Sequence, residues 1–75
     1  MENLQQNYET HKARFFDIMQ CKNEQLKKMR LEGLENDMQA CYDIPQTGSL
    51  RIGAFINAYP GVYSLFTKVK EARWT

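Results

Sequence analysis

Residues 4–18, LQQNYETHKARFFDI, decide the fold class. Leu4, Tyr8, His11, Phe15 and Ile18 recur at spacings of four, three, four and three, which is one stripe along an α-helix. Further along, Met19, Leu26 and Met29 carry a neighbouring stripe, although Lys22 and Gln25 stand where apolar residues would continue the first. The phase then shifts, and Leu31, Leu34, Met38 and Cys41 form a new stripe at three, four and three. From Glu2 to Asp43 there is no proline and a single glycine, Gly33, and good helix formers dominate. A turn at residues 31–34 is the simplest account of the phase shift. Glycine supplies the left-handed conformation that closes a helix, and Lys27, Lys28 and Arg30 suit a helix C-terminus. The rival account is one bent helix of about 40 residues. Pro45 disfavours helix in the residue before it, so this half ends near Asp43.

Residues 43–49, DIPQTGS, are turn chemistry, with Thr47 or Ser49 placed to cap a helix starting near residue 50. Between Leu50 and Tyr59, Ile52, Phe55, Ile56 and Tyr59 fit a helix, while Leu50, Ile52, Ala54, Ile56 and Ala58 fit a strand. No other segment offers a strand for pairing, so helix is preferred. Pro60 and Gly61 imply a break, read either as the first residue of a new helix or as a type II turn. Val62, Leu65, Phe66 and Val69 then mark a last helix to about Arg73. Residues 50–69 hold twelve apolar or aromatic side chains in twenty and are expected to be the heart of the core. The fold class is therefore all-α: a small bundle of three to four helices with a long polar N-terminal helix, which oligomerisation could complete.

Seventy-five residues fit one domain, residues 1–75. A chain of this size buries only roughly 60–65% of its unfolded surface, so a staple or a partner is valuable. Cys21 and Cys41 make no C-x-x-C pair, and His11 is the only histidine, so no zinc site is expected. Met1-Glu2-Asn3 precedes no apolar stretch, so the expected compartment is the cytoplasm, with both thiols free and partly buried.

Known chemistry is mostly missing. Gly48-Ser49-Leu50-Arg51-Ile52-Gly53 has the glycine spacing of a phosphate loop, but Ala54 and Phe55 replace the Lys and Ser/Thr that would reach phosphate and magnesium. Glu32, Glu35, Asp37 and Asp43 lack calcium-loop spacing and read as a solvated helix face. His11 has no evident nucleophile beside it, so no catalytic residue, metal or cofactor is expected. The uncharged run 52–67 is sixteen residues, short of the ~20 needed to span a bilayer. A helix-turn-helix signature is likewise unsupported.

Two functional expectations remain. The first is a non-enzymatic interaction protein: a homo-oligomer, adaptor or inhibitor. Its oligomer seam would comprise Leu4, Tyr8, Phe15, Ile18, Met19, Leu26 and Met29 on the N-terminal helix. The second, weaker, is a nucleic-acid accessory protein. Residues 1–43 hold six Lys/Arg against eight Asp/Glu, whereas residues 44–75 hold four against one. Arg51, Tyr59, Tyr63, Lys68, Lys70, Arg73 and Trp74 form the candidate partner surface, a mixture suited to protein interfaces or to stacked bases.

Overall fold

Asn23 sets the first turn of the chain. In the computed structural model, which describes residues 4–74 and side chains from residue 7 onward, α1 (Leu4–Met19) stops and α2 (Glu24–Tyr42) starts again across it. The Asn23 side chain accepts from the Leu26 backbone N–H at 3.0 Å, in extended geometry, and Glu24 adds its charge to the positive first turn. On the other side, Gln20 and Cys21 amides close the end of α1 onto Asp17 and Ile18 carbonyls. The break expected at residues 31–34 is thus misplaced. Gly33 lies inside α2 with ordinary helical backbone, and the phase shift after Met29 reflects α2 turning its buried Leu31, Leu34 and Met38 toward two neighbours.

Asp43, in the left-handed conformation at φ 52°, ends α2 by donating its N–H to the Gln39 carbonyl. The Gln39 side chain then holds the linker, donating to the Ile44 carbonyl and accepting from Gln46. Ile44 is thereby fixed in the core, 1% exposed. Helix α3 (Ser49–Ala58) confirms the helical reading of that segment. Its cap differs from expectation: Gly48 occupies it at φ 85°, and neither Thr47 nor Ser49 supplies a side-chain cap. Helix α4 (Pro60–Trp74) begins on proline, where the missing N–H costs nothing.

Helices α1, α2 and α4 pack on one another in a triangle, while α3 packs on α4 alone. Antiparallel α1 and α2 are tied by Arg14–Asp37 at 2.6 Å and Arg30–Asp17 at 3.3 Å. Among the described residues ten buried side chains make the core, and none is polar: Ile18, Leu31, Leu34, Met38, Ile44, Phe55, Val62, Leu65, Phe66 and Val69. Of the twelve apolar residues in 50–69, only Phe55, Val62, Leu65, Phe66 and Val69 are buried. The centre therefore lies between α2 and α4, because α3 sits outside the triangle. The result is a flat molecule, 37 × 28 × 16 Å. Its radius of gyration, 12.6 Å, exceeds the roughly 11 Å typical of a domain this long.

Candidate interaction surface

Helix α3, SLRIGAFINA, carries one charged residue, Arg51, in ten. Such a helix normally belongs in an interior. Here it has one neighbour, and only Phe55 is buried, its ring set against Tyr59 and Tyr63 with centroids 5.2 and 6.1 Å away. Leu50 is 89% exposed, Ile56 and Tyr59 are each 39% exposed, and Ala54 and Ala58 are also in solvent. Beside α3, a groove of about 280 Å³ opens between the 43–48 linker and α4, over Ile52, Tyr63 and Phe66.

The expected partner surface is only partly assembled. Arg51, Tyr59 and Lys68 are exposed, and Tyr63 is half-buried against the core. Lys70 is drawn over the Phe66 ring at 5.4 Å. Arg73 is engaged by Glu35 of α2 and lies 5.0 Å from the Trp74 ring, which is 74% exposed. Two of the four cations in this set are therefore held by the molecule itself. Of the acidic group, Glu32, Asp37 and Asp43 are exposed as expected, whereas Glu35 is largely covered and pairs with Arg73 of α4.

The expected seam does not form one stripe. The turn at residues 20–23 folds Leu26 and Met29 back onto α2, away from the continuation of α1. Ile18 is 1% exposed inside the monomer, and Tyr8 and Phe15 pack against the core. Met19, Leu26 and Met29 remain exposed, and the side chain of Leu4 lies outside those described. Phe16, which no stripe included, is 57% exposed.

His11 is a structural contact between α1 and α2. Its Nδ1 shares a 3.0 Å hydrogen bond with the Tyr42 hydroxyl, and the rings meet edge-on at 5.4 Å. Burial holds the imidazole below its ordinary range, and burial pushes the Tyr42 phenol up to about 12. Cys21 and Cys41 are half-buried and are not joined in a disulfide, and Cys41 Sγ accepts from the Asn7 side-chain amide at 3.6 Å. Among the described residues no cluster of three or more His, Cys, Asp or Glu could hold a metal, and no helix is long and apolar enough to cross a membrane. The chain matches no protein-family model, no curated protein and no solved structure.

Proposed function

We propose that this chain is a small non-enzymatic protein–protein interaction module, acting as a homo-oligomer or as an adaptor or inhibitor of a larger protein, with α3 as its contact. The observation that carries this reading is the mismatch in α3 between composition and environment. A helix with one charge in ten residues rests on a single neighbour and leaves Leu50 and Ile56 in water. Large apolar side chains left in water on a nearly uncharged helix are a feature of interaction surfaces. A second copy is the favoured occupant. Two α3 helices crossing antiparallel would place the lone Arg51 of each at opposite ends, so no like charges would meet.

Amide hydrogen exchange read at low and high protein concentration tests the assignment. Protection of the α3 amides should rise with concentration while that of α2 stays constant. Concentration-independent protection throughout α3 would count against self-association there.

A further inference from the structure

A separate groove of about 90 Å³ runs between α1 and α4. Tyr8, Phe15 and Leu65 form its apolar floor, and Phe16 stands as an exposed wall. The Tyr8 ring lies beside Gly61 of α4, where an added Cβ would make ordinary contact with it at 3.4 Å. Lys12 from α1 and Lys68 from α4 flank the opening. Among the described residues no carboxylate lines it. Glu71, one turn beyond Lys68, lines the other groove instead. Lys12 rests 5.9 Å from the Tyr8 ring centroid.

Volume and charge together select an occupant. The groove has room for about three waters of ~30 Å³ and is smaller than the ~150 Å³ that holds a benzene ring, so it suits one aliphatic side chain and not a lipid tail. A second copy docking this face onto itself would bring four ammonium groups together, which like-charge repulsion opposes. We propose that the α1/α4 groove binds an acidic amphipathic helix of a different protein. A Leu, Ile or Met would seat on Tyr8, Phe15 and Leu65, with carboxylates on either side reaching Lys12 and Lys68. Laid along α1 and α4, that helix would complete a four-helix arrangement over the open seam. The site is distinct from α3 and does not depend on self-association.

Two synthetic peptides of about 20 residues, long enough for helix formation, provide the test. One carries leucines at i, i+3, i+4 and i+7 with flanking glutamates, and its twin has lysine at each glutamate. Fluorescence anisotropy against the full chain should show the glutamate peptide binding at least about tenfold more tightly than the twin. Amide shifts should centre on Gly61, Ser64 and Lys68. The double variant Lys12→Glu/Lys68→Glu should reverse the preference, and Phe16→Ser should weaken the glutamate peptide, with circular dichroism melts confirming that each variant is folded. Equal binding of the two peptides, shifts confined to α3, or an unchanged preference in the double variant would each overturn the proposal. A single-stranded oligonucleotide giving the same shifts at equal affinity would overturn it too, since the groove would then be reading phosphate. All of these readouts leave the mass of the peptide-free chain untouched, so failure here is separable from failure of the α3 assignment.

Discussion

Arg73, in the last turn of α4, donates to the carboxylate of Glu35 in the middle of α2, with side chains only 26% and 14% exposed. The pair joins the two helices that contribute most of the core, and it presents Arg73 to the ring of Trp74. Removing one member leaves its partner partly covered and uncompensated.

Glu35→Gln should therefore cost about 1–2 kcal/mol, between the small worth of exposed pairs and the 3–5 kcal/mol of fully buried ones. Trp74 is the only tryptophan, so its emission should shift as the Arg73 guanidinium is released. Chemical denaturation followed by far-UV dichroism and by fluorescence reads both effects. Unchanged stability together with unchanged emission would show that the pair does no structural work.

Gly33→Ala should stabilise the chain by roughly 0.5–1 kcal/mol. The residue is interior to α2, its backbone is helical, and an added Cβ would meet only Arg14 Nη2 at 3.7 Å, an ordinary contact. Thermal melts of the two proteins decide it. A lower midpoint for the variant would mean that Gly33 serves a close approach by a partner or by Arg14.

Stability should decline as pH falls below about 6.5. Burial lowers the His11 pKa in the folded chain, so the unfolded chain binds the proton first, and the contribution present above 6.5 is lost on acidification. The variant His11→Gln should show a flatter profile between pH 7 and about 5.5, above the ordinary carboxylate range. Denaturant midpoints across that window make the comparison, and identical slopes for both proteins would remove His11 as the cause.

The helical character of the chain was legible in its periodicities, since the stripe from Leu4 to Ile18, the stripe from Leu31 to Cys41 and the run Val62, Leu65, Phe66, Val69 each lie within one helix. The position of the first turn was not. Gly33 is the conspicuous helix breaker, yet one glycine costs only about 1 kcal/mol inside a helix, and packing of Leu31 and Leu34 outweighs it. The better signal was Asn23-Glu24, a side-chain cap with an acidic first turn. The candidate surface was legible only in part. Apolar spacing in residues 50–59 fits helix and strand alike, and the lack of a strand partner pointed to helix, but burial depends on how many neighbours a helix acquires, which no local pattern encodes. For that reason Leu50 and Ile56 read as core and emerged as surface. Likewise, the pairing of Arg73 with Glu35 spans 38 residues and left no local trace.

The most direct test is the solution mass of the chain by size-exclusion chromatography with light scattering, beside the double variant Leu50→Lys/Ile56→Lys. Both side chains are exposed in the monomer, so the variant should keep its helical dichroism. Self-association through α3 predicts a whole multiple of 8.9 kDa for the natural sequence and a single 8.9 kDa chain for the variant. The same mass for both proteins would contradict it.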